Sequence, residues 1–288
     1  MDDLDIQYGT YSIPDDHSDS TLRNKTSRRI TFGRPYAASP KVVVWLNAAD
    51  CGEGKPVRVD AHADTVTPDG FTIHVDTWKD SNLYSAGVTW LAHSAHRTDV
   101  RSGSFHTEQH REGSRSQQQT SRRIAFERAY AAPPTVLVWL NAVDCGEDRN
   151  VRVKVYADGI ARDGFTMHLD AWDDSQLFSA GASWLAYSAD RRDIRSGAFE
   201  INDVRPSYAP RLQNRGRVSW GAPRMTKPPR VFAALRMLDF GHGRNVRLRL
   251  RTEEITQTGM TWKMDSWMDT VFYQDGGVFL AFEDKEHA

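Results

Sequence analysis

Three residue types recur in this chain at a fixed spacing: an arginine, a tryptophan 20 residues later, and an aromatic residue six positions beyond that. A guanidinium is a rigid fork of N–H donors that can grip two adjacent oxygens. An indole offers a flat apolar surface at little entropic cost. Together they suit a ligand with an apolar face and a rim of hydroxyl groups. The residues in question are Arg58, Trp78 and Tyr84, then Arg152, Trp172 and Phe178, then Arg247, Trp267 and Tyr273.

These residues belong to a longer repeat, which must supply the elements that position them. The three copies of its best-matched stretch are 57–92, 151–186 and 246–281, and equivalent residues lie 94 and then 95 residues apart. This period is far longer than the roughly 20–50 residues of solenoid or propeller units, and it is long enough for a small domain with its own core. The repeat therefore predicts three tandem domains, over residues 1–98, 99–192 and 193–288.

Each copy has the pattern of about six β-strands and no helical periodicity. The alternation in Val246–Arg251 predicts leucines facing a core and arginines facing solvent. Runs such as Val42–Leu46 predict a central strand that is buried on both faces, followed by a loop carrying Asp50. We therefore expect an all-β fold of three six-stranded antiparallel β-sandwich domains. If each contacts the next with the same geometry, they close into an intrachain pseudo-trimer.

The bulk properties exclude several classes of function. A net charge of -1 gives no general attraction to nucleic acid or to an anionic membrane, and no apolar run is long enough to span a bilayer. The N-terminus is acidic and lacks the apolar stretch of a secretory signal, and the two cysteines predict buried thiols in a reducing compartment. We expect a cytoplasmic protein that could act outside the cell after release.

No arrangement in the sequence predicts catalysis or a bound metal or cofactor. There is no nucleophile and base pair, no phosphate loop, and no carboxylate pair that recurs in all three copies. His62, His74 and His93 could suggest a metal, but the set is not kept: its equivalents are Tyr156, His168 and Tyr187 in the second copy and Arg251, Lys263 and Phe282 in the third. They are therefore interpreted as solvated strand histidines. The plain alternatives also stay open for the binding residues, because the tryptophans could be core aromatics and the arginines solvated or inter-domain partners.

The sequence contains an ordered set of short motifs. They are Val100-Arg101-Ser102-Gly103, Ile30-Thr31-Phe32, Pro35-Tyr36, Pro40, Arg58-Val59, Pro68-Asp69-Gly70-Phe71, Thr77-Trp78, Leu83-Tyr84-Ser85 and Trp90. This set resembles the H-type lectin domain, the family of snail agglutinins and of the C-terminal domain of slime-mould discoidins. The resemblance covers nearly all of the first two copies and, less closely, the third.

The resemblance implies a sandwich that trimerises and binds terminal N-acetylgalactosamine or galactose near the protomer boundaries. It assigns sugar contacts to the arginines, tryptophans and later aromatics named above, and to the residue after each tryptophan, which is Lys79, Asp173 or Met268 instead of the histidine of the snail lectins. It also implies a first-loop aspartate that anchors sugar hydroxyls. Asp19 is the candidate in the first copy; Glu112 and Asp203 are weaker counterparts in the others.

Two hypotheses follow from these residues. The first is a non-enzymatic lectin that binds glycoproteins or glycolipids through three tandem sites, without a metal ion, and serves adhesion or defence. Two such rings could associate. The second is a structural or protein-interaction module that keeps the sandwich trimer and has lost sugar binding, because the first-loop aspartates and the histidine after tryptophan are poorly matched.

Overall fold

The computed structural model describes residues 5–13, 25–109 and 115–283. Its 18 strands fall into three sets of six, one set in each sequence copy, and two short 3-10 turns complete the regular structure. The first copy contains β1 (Gln7–Ile13), β2 (Lys25–Thr31), β3 (Lys41–Cys51), β4 (Val57–Thr67), β5 (Gly70–Asp76) and β6 (Leu83–His93). The second contains β7 (Val100–His106), β8 (Gln119–Ala125), β9 (Thr135–Cys145), β10 (Val151–Ala161), β11 (Gly164–Asp170) and β12 (Leu177–Tyr187). The third contains β13 (Ile194–Glu200), β14 (Gln213–Ser219), β15 (Arg230–Phe240), β16 (Val246–Glu253), β17 (Gly259–Asp265) and β18 (Phe272–Phe282).

The strands of each copy divide between two sheets, and every sheet is shared by two copies. The strand orders are β1-β6-β3-β16-β17-β14, β2-β5-β4-β9-β12-β7 and β13-β18-β15-β10-β11-β8, and all pairings are antiparallel. Each copy is therefore a sandwich of two three-stranded layers, and each layer continues into a neighbouring copy. This confirms the predicted all-β, six-stranded sandwich domains.

The ring closes through three equivalent strand pairings. Strand β4 pairs with β9, β10 pairs with β15, and β16 pairs with β3, so the third copy returns to the first. We call these contacts the 1/2, 2/3 and 3/1 boundaries. Together they form the predicted intrachain pseudo-trimer.

The third strand of each copy is longer than the sequence pattern predicts. The residues Asp50, Asp144 and Asp239 were expected in a loop, but they lie inside β3, β9 and β15. The end of each strand is paired on both edges. One edge pairs with the sixth strand of the same copy, and the other pairs with the neighbouring copy, where Arg247, Arg58 and Arg152 stand directly opposite these aspartates. Pairing between copies is not visible in local alternation.

A separate apolar core lies on the axis of the ring. Trp45 and Trp139, from the third strands of the first two copies, are 2% and 4% exposed, and their ring centroids are 5.1 Å apart. The Trp45 indole donates to the carbonyl of Ala233 at 3.0 Å, and the Trp139 indole donates to that of Val44 at 3.3 Å. Each hydrogen bond joins two copies. The predicted burial of the Val42–Leu46 run, which contains Trp45, is confirmed.

The glycine in the first strand of each copy makes room for an aromatic ring. A Cβ on Gly9 would lie 2.9 Å from the Trp90 indole, and one on Gly103 would lie 2.9 Å from that of Trp184. In both copies a buried indole from the adjacent strand crosses over the glycine.

Two further expectations concern cysteine and membrane insertion. Cys51 and Cys145 are free and buried, as predicted, and Phe240 fills the equivalent position in the third copy. Within the described ranges, no helix has the length and apolar character needed to cross a bilayer.

Candidate functional site

The repeated arginines lie in the boundaries between copies. Arg58 and Arg247 are only 8% and 7% exposed, and Arg152 is partly buried, so the expectation that they face solvent on the strand's outer side is wrong. The alternation does hold further along β16, where Arg249 and Arg251 are exposed. The difference is that Arg247 stands opposite Asp50 of β3 and forms an ion pair with it, whereas Arg249 stands opposite Ala48.

Each boundary arginine joins one aspartate of the next copy and at least one of its own, and Arg152 also lies 3.6 Å from a second, Asp173. The Nε atom of Arg58 lies 3.1 Å from Oδ1 of Asp144, and its Nη1 donates to Oδ1 of Asp80 at 2.8 Å. The equivalent pairs are Arg152 with Asp239 at 3.1 Å and Asp174 at 2.7 Å, and Arg247 with Asp50 at 3.4 Å and Asp269 at 2.7 Å. Among the described residues, no hydrogen bond seen for these arginines uses Nη2.

The two aspartates differ in environment. Burial raises the pKa of Asp144 above its usual value, although the Arg58 guanidinium and the Trp78 indole oppose the shift, and burial likewise raises the pKa of Asp239. By contrast, the hydrogen bond from Arg58 lowers the pKa of the exposed Asp80, and that from Arg247 lowers the pKa of Asp269. Asp80 and Asp269 therefore remain charged, and both are exposed.

The three tryptophans after the fifth strand are half-buried, unlike the core indoles. Trp78 lies against the boundary, since its indole is close enough to lower the pKa of Asp144 in the next copy. A cation lies over two of the three rings: Lys154 Nζ is 5.9 Å from the Trp172 centroid, and Arg249 Cζ is 5.6 Å from that of Trp267. At the equivalent position the first copy has Asp60, which leaves the Trp78 ring without such a cation among the described residues.

The residue after each tryptophan has a left-handed backbone in all three copies. The φ angles are 56° for Lys79, 52° for Asp173 and 58° for Met268, and all three side chains are exposed. This conformation is uncommon for residues other than glycine and is maintained only where the surrounding structure fixes it. The same backbone therefore presents a cation, an anion and an apolar side chain at the three boundaries.

The later aromatic residues reach a different boundary from the tryptophan of their own copy. Tyr84 packs on Gly52, next to Glu53, whose N–H donates to Asn245 of the third copy at 2.9 Å. Strand β6, which carries Tyr84, pairs with β3 at Asp50, the partner of Arg247. Tyr84 therefore belongs to the 3/1 boundary. By the same pairing, Phe178 belongs to the 1/2 boundary and Tyr273 to the 2/3 boundary.

Each boundary thus brings together residues from two copies, and we call each set a boundary site. The sites are as follows: Arg58, Trp78, Lys79 and Asp80 with Asp144 and Phe178; Arg152, Trp172, Asp173 and Asp174 with Asp239 and Tyr273; Arg247, Trp267, Met268 and Asp269 with Asp50 and Tyr84. Apart from Asp203, the predicted site residues within the described ranges fall into these sets. Asp19 and Glu112 lie outside the described residues.

The sequence interpretation did not assign a binding role to the six aspartates that hold the arginines. Their signal was their recurrence at the same place in every copy, but a recurring aspartate before or after a strand also fits a turn. In the third copy, Asp203 accepts a hydrogen bond from the N–H of Glu200 at 2.8 Å, so it caps a local turn and is not placed in a boundary site.

Two open grooves also follow the boundaries, next to the sites and not at them. One, of about 450 Å³, is lined by Asp60, His62 and residues of β7 including His106. The other, of about 640 Å³, is lined by Tyr8, Phe232 and Arg251 among others. Neither includes a boundary arginine or tryptophan.

The fold is a ring of β-sandwich units, and each boundary between units holds an indole and a guanidinium fixed by carboxylates. Its sequence matches the family model for the H-type lectin domain three times, at residues 27–93, 121–187 and 225–282. The chain therefore belongs to the H-type lectin domain family, with three tandem copies of the domain. This family binds carbohydrate and is non-enzymatic, so the coarse function is that of a carbohydrate-binding lectin.

A curated protein of Fuscovulum blasticum, described as "ATP synthase subunits region ORF 7", is also similar. It is 34% identical over 70 residues, which is 24% of this chain and 61% of that protein. The match is about one domain copy long. Its description names no ligand, so it supports no particular sugar.

Proposed function

We propose that the three boundary sites bind terminal galactose-type sugars, N-acetylgalactosamine or galactose, and that one chain engages up to three glycan ends. The observation that carries the proposal is the pairing, in every boundary site, of a half-buried indole with a guanidinium held in place by two carboxylates. A ligand in such a site finds its partners already oriented, which reduces the entropy lost on binding.

The arginines can bind a ligand without giving up their ion pairs. In Arg58 and Arg152 the two aspartates accept hydrogen bonds from Nε and Nη1. In Arg247, Nη1 donates to Asp269, and Nε lies 3.4 Å from Asp50 in an ion pair. The described hydrogen bonds leave Nη2 of all three for a sugar hydroxyl. The exposed carboxylate of Asp80, Asp174 or Asp269 can accept from a second hydroxyl. A site that pairs specific hydroxyls discriminates between epimers, because the wrong epimer leaves a polar group unsatisfied.

The three sites are expected to differ in affinity. Lys79 gives the 1/2 site a cation, Asp173 gives the 2/3 site an anion, and Met268, which is 73% exposed, gives the 3/1 site an apolar rim. Lys154 over Trp172 and Arg249 over Trp267 also compete with a sugar for the ring face, whereas the Trp78 ring has no such cation among the described residues. Even unequal sites gain avidity on a surface of clustered glycans if several can be engaged together.

The test combines a glycan array with calorimetric titration of N-acetylgalactosamine, galactose and glucose, with and without a chelator. We expect binding of the first two sugars, unaffected by the chelator. The variant Trp78→Ala, Trp172→Ala and Trp267→Ala combined should lose at least about 30-fold in affinity, the effect of about 2 kcal/mol for truncating a tryptophan at the centre of a contact. Ile160→Ala, which trims another exposed apolar side chain, should bind normally.

One observation favours the alternative of a structural module without sugar binding: the boundary arginines are used to join copies. That alternative predicts that folded wild-type protein binds no galactose-type glycan, and that arginine and tryptophan variants alter only stability. Absence of binding in the array together with a native thermal transition would support it against the lectin proposal.

A further inference from the structure

The outer face of the β4–β5 hairpin in the first copy carries a cluster of histidines and carboxylates. Three cross-strand pairs stand opposite each other there: Asp60 with Asp76, His62 with His74, and Asp64 with Thr72. Directly opposed residues of an antiparallel pair point to the same face. The hairpin therefore collects two imidazoles and three carboxylates on one small surface.

Their geometry brings possible ligand atoms close together. One ligand atom each from His62, His74 and Asp76 lies within 4.8 Å of the other two, and all three residues are half-buried. The imidazoles are stacked, with centroids 4.6 Å apart and planes 5° apart. On the adjacent strand, Thr26 donates its N–H to Asp76 at 3.2 Å, and Lys25 is the residue opposite Asp76.

Each imidazole also has a carboxylate beside one ring nitrogen. Nδ1 of His62 is 2.9 Å from Oδ2 of Asp60, and Nε2 of His74 is 3.1 Å from Oδ1 of Asp64. Histidines that bind metal almost always give their second ring N–H to a carboxylate, carbonyl or water, which fixes the ring and raises its basicity. Here the carboxylates leave Nε2 of His62 and Nδ1 of His74 as the ligand atoms.

The other two copies use the same positions differently. In the second, Lys154 stands opposite Asp170, and Tyr156 stacks on His168 with centroids 4.5 Å apart and donates to Asp170 at 2.9 Å. The third places Arg249 opposite Asp265 and Arg251 opposite Lys263. Only the first copy opposes two like-charged aspartates, which is unfavourable unless a cation offsets it.

We propose that His62, His74 and Asp76 of the first copy bind one divalent transition-metal ion. Imidazole and carboxylate ligands favour Zn²⁺, Cu²⁺ and Ni²⁺ over Ca²⁺ and Mg²⁺. Three protein ligands leave a coordination position for water or an external ligand. The two rings turn about χ2 from their stacked arrangement to direct both nitrogens to the ion. Asp60 and Asp64 act as positioning residues. This site is separate from sugar binding and does not depend on it.

The sequence analysis considered His62, His74 and His93 as a metal site and rejected it, but the structure groups different residues. His93 is buried, with only 1% of its surface exposed, and its ring nitrogens contact Ser94 and Ser102. It takes no part in the cluster. Asp76 takes its place. The variation between copies, which argued against a metal shared by all three, instead restricts the site to one.

The test is calorimetric titration of the full chain with Zn²⁺ at pH 7.5, with circular dichroism as the check of folding. We expect one ion per chain. His62→Tyr should lose at least 100-fold in affinity while keeping the fold, because the second copy contains the same Tyr–His stack. Asp60→Asn should lose about 10- to 100-fold. The matched control His168→Tyr should bind as the wild type does.

A gain of binding tests the same geometry in the second copy. Lys154→Asp with Tyr156→His recreates the cluster around His168, Asp158 and Asp170, where His168 Nε2 already lies 3.0 Å from Asp158. This folded variant should bind two ions per chain. The proposal is overturned if wild type binds no Zn²⁺, if His62→Tyr retains wild-type affinity, or if the gain variant still binds one ion.

Discussion

Replacing one of the two aspartates on Arg58 should have a very different effect from replacing the other. Arg58 and Asp144 have side chains that are each 10% exposed, and they lie 3.1 Å apart across the 1/2 boundary. Asp80, on the same guanidinium, has a side chain that is 55% exposed. Removing one partner of a buried pair leaves an uncompensated charge, which typically costs about 3–5 kcal/mol, whereas exposed pairs contribute little.

We expect Asp144→Asn to destabilise the protein by about 3 kcal/mol, since the asparagine oxygen can still accept from Nε. At about 2–4 °C per kcal/mol, this corresponds to a fall of roughly 6–12 °C in the thermal midpoint. Asp80→Asn, the matched control on the same arginine, should leave the midpoint close to that of the wild type. Differential scanning calorimetry of the three proteins at one ionic strength provides the comparison.

The direction of the Asp144 pKa shift allows a stronger test. Burial raises this pKa even though Arg58 is adjacent, so the attraction of the pair does not fully offset the loss of hydration. The double variant Arg58→Met with Asp144→Leu should therefore recover most of the stability lost in Asp144→Asn. If the double variant is no more stable than the single one, or if Asp80→Asn costs as much as Asp144→Asn, this reasoning is wrong.

Three further predictions concern single residues. Burial lowers the pKa of His93 from 6.5 to about 4, so the unfolded chain binds more protons than the folded chain between these pH values. The free energy of unfolding should therefore fall by about 3 kcal/mol as pH falls from 6.5 to 4. His93→Tyr, which copies the Tyr187–Ser196 contact at 2.7 Å, should remove most of this pH dependence in urea-unfolding measurements. Burial raises the pKa of Asp275 well above its usual value, so the folded state binds this proton more tightly than the unfolded state and stability declines as pH rises above about 4. Asp275→Asn keeps an acceptor for the N–H of Asp239 and should raise the unfolding free energy at pH 7 by about 1–3 kcal/mol. A lower unfolding free energy would contradict this. Gly103→Ala should cost about 1–3 kcal/mol because its Cβ would meet the Trp184 indole, while Gly33→Ala, with its nearest neighbour at 3.6 Å, should be nearly neutral in the same melts.

The fold followed from the sequence because its signals are local or repeated. Alternation in stretches such as Val246–Arg251 reports which face is buried within one copy, and equal spacing of copies reports that the ring has three like units. Neither signal shows which strand of one copy pairs with which strand of another. For this reason the length of β3, β9 and β15 was underestimated, and Asp50 was placed in a loop.

The sequence predicted which residue types form the candidate sites, but not which copies supply the residues of each site. Residues such as Arg58, Trp78 and Tyr84 were chosen from one copy, but Tyr84 reaches the 3/1 boundary while the first two reach the 1/2 boundary. The burial of Arg58 follows from pairing across that boundary, which no pattern within a copy can reveal. Likewise the metal cluster depends on the register of β4 and β5, which places His62 opposite His74.

The most direct test of the central claim is a crystal structure of the protein soaked with N-acetylgalactosamine. The account predicts the sugar ring against Trp78, Trp172 or Trp267, with a hydroxyl on Nη2 of the adjacent arginine and contact with Phe178, Tyr273 or Tyr84 from the next copy. A sugar bound in either boundary groove or on the outer sheet faces, with all three boundary sites empty at saturating concentration, would contradict it.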